Sequence, residues 1–326
     1  MRIPVSTNES PWLQRRISRR SFIAGGILGL ASLATGCGVR DDSSNIQAAP
    51  NLDLGYPAGN LLVDAGWLTR RIDDPSLRLL DCSPLPAYRA GHLPVARHVW
   101  WQDTIELHNP VYGMLVNPDG RAELTRQAGI QHDSQVVCYD NAGGVYAARV
   151  LWMLRYMGFR SGGLLIGGRE GWRAAGHDLT RAEPESSVGG IDDIFDESIV
   201  AQPQDILSRL DEPGLTILDT RTEEERHETW NNKLRSGMIP GSVWLPRDQF
   251  LQNQAVPQWA SELVSRLAPT FSLDTTAEVI VYGLHGTLAS LPYHLLMALG
   301  RFHVRLYDGS WAQWGADESL PADPLS

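Results

Sequence analysis

Lysine and cysteine are nearly missing from this chain. Of 326 residues, 28 are Lys or Arg, and lysine supplies only Lys233. A phosphate-binding Walker loop needs Gly-Lys-Ser/Thr, whereas Lys233 sits in Asn-Asn-Lys-Leu, so P-loop nucleotide chemistry is excluded. Schiff-base catalysis would have to use that same lysine, which lies in a polar, arginine-rich stretch without an apolar pocket around it. The three cysteines, Cys37, Cys82 and Cys138, are too few for a disulfide scaffold or a multi-cysteine zinc module. No apolar run is long enough to span a bilayer. What is present is an acidic, globular composition: 38 Asp+Glu, a net charge of −10, and 43% hydrophobic residues. This length predicts two domains, each able to bury its own core.

The first 36 residues read as a leader. Arg15, Arg16, Arg19 and Arg20 precede about a dozen apolar residues over 22–33, and Ala34-Thr35-Gly36-Cys37 follows. Ser18-Arg19-Arg20-Ser21-Phe22-Ile23 resembles a twin-arginine export signal, and the small residues ending at Gly36-Cys37 resemble a lipobox. The expectation is export, cleavage before Cys37, a lipid on its sulfur, and a tether over 37–58. The protein would be anchored to the cell or outer membrane, facing the periplasm or the exterior. A plain secretory signal and a buried apolar helix are the alternatives. With the leader gone the acidic excess grows, so nucleic-acid binding, which needs a basic footprint, is not expected.

From residue 60 onward, short apolar runs alternate with segments of helical period. Strands are expected over 77–82, 136–140, 164–166, 215–219, 279–283 and 304–307, and helices over 120–128, 145–157, 204–210, 261–267 and 288–299. Such alternation argues for an α/β fold of parallel sheets flanked by helices. The two halves also match each other: Leu80-Asp81 with Leu218-Asp219, Gly91-His92-Leu93-Pro94 with Gly237-Met238-Ile239-Pro240, Tyr139 with Tyr282, and Trp172 with Trp314. Two copies of one domain are therefore expected, over 59–182 and 195–326, with a linker over 183–194. In each copy a strand ends in Tyr139-Asp140 or Tyr282-Gly283, a glycine-containing loop follows, and an apolar helix begins. Loop amides at a helix N-terminus favour an anion or a thiolate, though the same residues also make an ordinary strand-to-helix turn.

The arrangement resembles the tandem rhodanese family of thiosulfate and 3-mercaptopyruvate sulfurtransferases. The stretches that carry the resemblance are Leu79-Leu80-Asp81, Tyr88-Arg89-Ala90-Gly91-His92-Leu93-Pro94, Val137-Cys138-Tyr139-Asp140, Ala147-Ala148-Arg149, Leu218-Asp219-Thr220-Arg221, Gly237-Met238-Ile239-Pro240-Gly241-Ser242 and Tyr307-Asp308-Gly309-Ser310-Trp311-Ala312-Gln313-Trp314-Gly315. The resemblance implies two rhodanese-like domains. It implies an inert first copy with an aspartate in the nucleophile position, which Asp140 in the loop Asp140-Asn141-Ala142-Gly143-Gly144 fits. It also implies a second copy whose loop begins with a cysteine that carries sulfane sulfur as a persulfide. Here that loop is Gly283-Leu284-His285-Gly286-Thr287-Leu288, and no cysteine follows Cys138 anywhere. Glycine supplies no nucleophile, and leucine no charge for an anionic substrate.

Few residues can substitute. Cys82, at the end of a strand, reads either as an exposed thiol beside the first-domain pocket or as a small apolar residue; Cys138 reads as part of a strand. His285 is the sole ionisable group of the second loop, and it reads as a solvent contact before a metal or anion ligand. His227-Glu228-Thr229-Trp230-Asn231 lacks the second histidine of a zinc-protease motif. Asp81 and Asp219 are expected to orient strand-end turns, with Arg149 and Arg221 neutralising them or facing the pockets. The tryptophans read as core packing.

The expected function is that of an exported, sulfurtransferase-like lipoprotein without its catalytic cysteine, binding a small sulfur-containing or other anion, or an envelope protein, and using no cofactor. The alternative is an active sulfurtransferase that passes sulfane sulfur to a thiol or cyanide through Cys82 or a partner's thiol. A structural spacer on a lipid anchor is the third possibility.

Overall fold

The computed structural model describes residues 61–325 except 186–187, 193, 211, 230–232, 254–255, 257–259 and 270–276. The leader, the tether with Cys37, and the Trp230-Asn231 end of the protease-like stretch therefore lie outside the described residues.

The chain opens with β1 (Leu62–Val63), α1 (Ala65–Thr69), β2 (Leu77–Asp81), α2 (Leu85–Ala90) and β3 (Arg97–His98). A 3-10 turn (Trp101–Thr104) leads to α3 (Pro118–Gln127), β4 (Gln135–Tyr139), α4 (Val145–Tyr156), β5 (Gly162–Leu165) and α5 (Gly168–Ala174). After a short 3-10 turn come α6 (Pro203–Leu207), β6 (Leu215–Asp219), α7 (Glu223–Arg226) and β7 (Val243–Trp244). The chain ends with α8 (Ala260–Leu267), β8 (Glu278–Tyr282), α9 (Gly286–Ala298), β9 (Val304–Leu306) and α10 (Ser310–Trp314).

Two parallel sheets result, in the orders β1-β5-β4-β2-β3 and β7-β6-β8-β9. Their central strands read Leu-Arg-Leu-Leu-Asp, Gln-Val-Val-Cys-Tyr and Glu-Val-Ile-Val-Tyr, and are buried almost end to end. Helices cover both faces of a parallel sheet, so its strands need apolar residues on both sides. Helix starts follow local chemistry: Asp64 accepts Trp67 N–H at 2.6 Å, Asn117 accepts Gly120 N–H at 3.0 Å with Pro118 next, and Thr222 and Glu225 form a capping box.

The repeat is visible in side-chain geometry as well as in order. Tyr139 and Tyr282 end equivalent strands, paired with Asp81 and Asp219 respectively. The Tyr139 hydroxyl accepts the Leu93 N–H at 3.0 Å, and the Tyr282 hydroxyl accepts the Ile239 N–H at 3.3 Å. Both tyrosines tie the Gly-x-x-Pro turn back onto the sheet.

Between the two sheets, α4 packs against α9. All of α9 is buried, from Gly286 to Ala298, and nine residues of α4 are. A helix that is apolar all round belongs inside a protein rather than on its surface. One apolar cluster accordingly runs through both domains, joining Leu80, Cys138 and Trp152 to Leu218, Leu291 and Trp314. A second cluster, with Trp172, covers the other face of the first sheet.

The observed elements shift from the expected ones mainly at their ends. Expected strand 279–283 stops at Tyr282, and expected helix 288–299 begins at Gly286, which shortens the loop between them. Expected helix 204–210 reduces to Pro203–Leu207. Strands β1, β3 and β7 are two residues each, too short to show a period.

Candidate functional site: two loops at the carboxyl ends of the sheets

In the first domain the loop after β4 is closed around its own aspartate. Asp140 Oδ1 accepts the N–H groups of Ala142 and Gly144 at 2.7 and 2.8 Å, and Oδ2 those of Tyr146 and Ala147 at 2.8 and 2.9 Å. Those amides belong to the loop and to the first turn of α4, which are the donors an anion would seek. Gly143 and Gly144 turn the backbone with φ of 71° and 93°. At Gly144 a Cβ would also come 3.0 Å from Leu164 Cδ2, a tight contact with the end of a movable side chain, so the conformation is the firmer reason for glycine there. Burial pushes the Asp140 carboxyl above its ordinary range, and the four amides limit the rise.

In the second domain the corresponding loop is buried from Gly283 to Leu288. Leu284 and Leu288 retain 1% and 4% exposure and His285 none, so the mouth expected for a free anion is closed. Several amides are already bonded within the protein: Gly283 N–H to Ser310 Oγ at 3.2 Å, Gly286 N–H to the Asp308 carbonyl at 2.9 Å, and Leu288 N–H to the His285 carbonyl at 3.0 Å. Ser310 takes a left-handed φ of 49° to make its contact, a strained conformation for a non-glycine residue.

What closes this loop comes from the first domain. The Tyr112 ring meets the His285 ring edge-on, with centroids 5.1 Å apart. Gly113 lies so close that a Cβ there would be 2.8 Å from His285 Cβ, and its φ of 91° independently favours glycine. A knot of buried polar groups fixes the segment. Arg149 Nη1 donates to Asp308 Oδ1 at 2.6 Å and Nη2 to the Gly113 carbonyl at 2.8 Å, while Leu115 N–H donates to Asp308 Oδ2 at 2.8 Å. Arg149 thus holds the covering segment and Asp308 together, and Asp308 holds the loop through Gly286.

Two expectations change here. His285 is not a solvent contact: it is wholly buried, and among the described residues there is no group of three or more His, Cys, Asp or Glu placed to hold a metal ion. Arg149 does not neutralise Asp81; it crosses to the other domain and pairs with Asp308. Arg221 does pair with Asp219, with Nη2 to Oδ2 at 2.7 Å, and it stacks 4.4 Å from the Trp311 ring centre. Asp81 and Asp219 each accept the backbone N–H two residues on, at 2.9 and 3.1 Å. In the first copy Ser83 stands where the second has Arg221, so only one of the two turns carries an arginine. Asp308, Tyr112 and Gly113 had no role assigned from sequence. Asp308 lay within a quoted stretch, but nothing in that stretch shows that its partner is 159 residues away.

Cys82 does not border a pocket as an exposed thiol. It is wholly buried, next to Cys138. Burial pushes its thiol well above the ordinary range, and Cys138, Asp140 and Asp81 add to the rise. A thiol in that state is a poor nucleophile at neutral pH. Cys138 is buried within β4.

The buried histidines give the domain pair a pH dependence. Burial, then the positive charges of Arg149 and Arg247, lowers His285 to about 3. Burial and Arg155 lower His294 to about 4, against its hydrogen bond to the Leu61 carbonyl. Both folded values lie below the unfolded value of about 6.5, so the folded state keeps both rings neutral. The stability this contributes is complete above pH 6.5 and is lost as pH falls toward the folded values, at about 1.4 kcal/mol per pH unit and histidine. Denaturant titration at pH 6.5 and 4.5 is expected to show a loss of about 2.5 kcal/mol per histidine. An unchanged slope in the His285→Gln/His294→Gln double variant would refute this assignment.

The comparisons with known proteins agree with this architecture. The profile of the rhodanese-like domain matches residues 64–175 and again 202–317. The chain is 29% identical over 282 residues to a Thermus thermophilus protein named sulfur carrier protein TtuD, covering 82% of this chain and 98% of that one. It is 30% identical over 281 residues to the thiosulfate sulfurtransferase of Corynebacterium glutamicum, covering 82% and 92%. Among solved structures, the 3-mercaptopyruvate sulfurtransferase SseA of Escherichia coli superposes with a TM-score of 0.68 at 26% identity, over 77% of this chain and 98% of that one. With two domain matches in tandem and two parallel sheets built to one plan, the chain belongs to the rhodanese family.

Proposed function

We propose that this protein is a rhodanese-family member that does not transfer sulfur itself and serves as a binding module, exported and held at the membrane by a lipid on Cys37. The observation that carries the reading is Gly283. At the carboxyl end of β8, where the resemblance implies a sulfur-carrying cysteine, the chain has a residue without a side chain, and the two described thiols, Cys82 and Cys138, are buried free cysteines. The first-domain loop is filled by Asp140, which cannot form a persulfide. Export and anchoring rest on the arginine pair, the apolar run and the Gly36-Cys37 junction of the leader.

The relatives are named as a sulfur carrier and as sulfurtransferases, which favours a sulfur-containing ligand or a thiol partner over an unrelated one. It also defines the competing reading, in which sulfur transfer persists through Cys82 or a partner's thiol. Incubation of the purified full-length protein with thiosulfate or mercaptopyruvate is expected to add no sulfur atom by intact mass, and to yield no thiocyanate from cyanide above the rate without protein. Turnover that disappears in Cys82→Ser would overturn the proposal. The anchor has its own measurement: membrane-extracted protein should carry the mass of a lipid at Cys37, and Cys37→Ala should release it into the soluble fraction.

A further inference from the structure

The first domain's cradle holds its own carboxylate and the second domain's loop is covered, yet a partly open cavity lies at the carboxyl end of the first sheet. It is a cavity of about 310 Å³ beyond β4 and β5, between the Asp140–Gly144 loop, the Gly167–Gly168 turn and, from the second domain, Asn253 and Val256. Ligands of parallel α/β sheets bind outside the carboxyl ends of strands, and pockets at domain junctions are common. The location alone would fit many ligands, so the lining has to select among them.

Charge narrows the choice. Arg169 is the one cationic side chain among the described residues lining the cavity. Its Nη1 is anchored by the carbonyls of Ala87 and Gly91 at 3.1 and 3.2 Å, which fixes the guanidinium without neutralising it. The acidic neighbours offset it only in part: four amide N–H dipoles point at the Asp140 carboxylate and oppose its field locally, and the Glu170 side chain is 74% exposed and 3.9 Å from Arg169, where water screens the pair. The walls supply the rest: Leu165 and Val256 are apolar, and Asn141 and Asn253 offer amide groups. At roughly 30 Å³ per water-sized group, the space holds about ten such groups, more than a lone inorganic anion fills.

We propose that this cavity binds a small organic anion, its charged end on Arg169 and its body against Leu165 and Val256. The inference rests on the reading of the protein as a binding module and names the ligand class for it. The ligand contacts both domains, so it stabilises the pair in proportion to its binding.

Calorimetric titration of the full-length protein with 3-mercaptopropionate and with benzoate, each compared with sulfate, tests this. Saturable one-site binding of at least one organic anion, with sulfate weaker, is the expected result. Arg169→Gln should weaken that binding by at least about tenfold. Asn141→Trp, a change at an exposed lining residue, should block it while leaving the arginine and the fold intact, so a folding defect in the first variant would not leave the question open. Binding that is unchanged in either folded variant, sulfate binding as tightly as the organic anions, or no binding at all would each overturn the proposal. Sulfur addition or thiocyanate turnover bears on the non-catalytic reading instead, and does not touch this one.

Discussion

Arg149→Met is expected to destabilise the protein by about 3–5 kcal/mol, measured by denaturant unfolding at neutral pH. The size follows from what the substitution leaves behind. Asp308 is 5% exposed and its carboxylate has two described partners, the Arg149 guanidinium and the Leu115 amide. Without the guanidinium a buried carboxylate keeps one neutral donor, and the Gly113 carbonyl loses its donor as well. Methionine fills much of the vacated volume, so lost packing contributes little. The control is Arg149→Met/Asp308→Asn. Removing the charge from both sides abolishes the uncompensated carboxylate, while the asparagine oxygen can still accept the Leu115 N–H. The double variant should therefore be more stable than Arg149→Met alone. A single-variant cost below about 1 kcal/mol, or a double variant less stable than the single, would show that the ion pair is not what fixes the covering segment.

The same knot marks the limit of what the sequence discloses. The central strands were legible because a parallel strand buried on both faces leaves a continuous apolar run such as Val279-Ile280-Val281-Tyr282. The repeat was legible because the same packing problem was solved twice: Leu93 with Tyr139, and Ile239 with Tyr282. The absence of cysteine from the second half needed no structure at all, since none occurs after Cys138. The environment of the loops was not legible. The Asp140-Asn141-Ala142-Gly143-Gly144 loop could be read as a cradle for an anion, but not as one already holding the carboxylate at its own first position. His285 in isolation looks like a surface histidine, and its burial depends on Tyr112 and Gly113, more than 170 positions earlier. Hydrophobic periodicity reports which face of an element is covered; it carries no information on which distant loop does the covering.

This difference shapes what restoring the cysteine should do. Gly283→Cys is expected to fold, because a Cβ at that position meets Ala289 N, Ala289 Cβ and the His285 carbonyl oxygen at 3.4–3.5 Å, ordinary contact distances. The backbone there needs no positive φ, so the substitution brings no conformational strain. The new thiol nevertheless enters a loop buried from Gly283 to Leu288 and covered by the Tyr112–Gly113 segment. Relative to the parent chain, it should react with a water-soluble aromatic disulfide at least about 100-fold more slowly in the native state than after unfolding, since reaction requires the thiolate and access together. Sulfur transfer from thiosulfate should stay at background for the same reason, and because Leu284 and Leu288 place no cation beside the thiol. Adding Tyr112→Ala removes the ring that meets His285 and should raise native-state reactivity by about tenfold or more. Rapid modification of Gly283→Cys in the folded protein would show that the first domain does not close the loop. Equal, slow reactivity with and without Tyr112 would place the barrier in the loop's own bonds to Ser310 and Asp308. On the proposed non-catalytic reading, two features of this loop act together, a glycine at position 283 and the cover from the first domain, and reversing the first alone should leave the second in force.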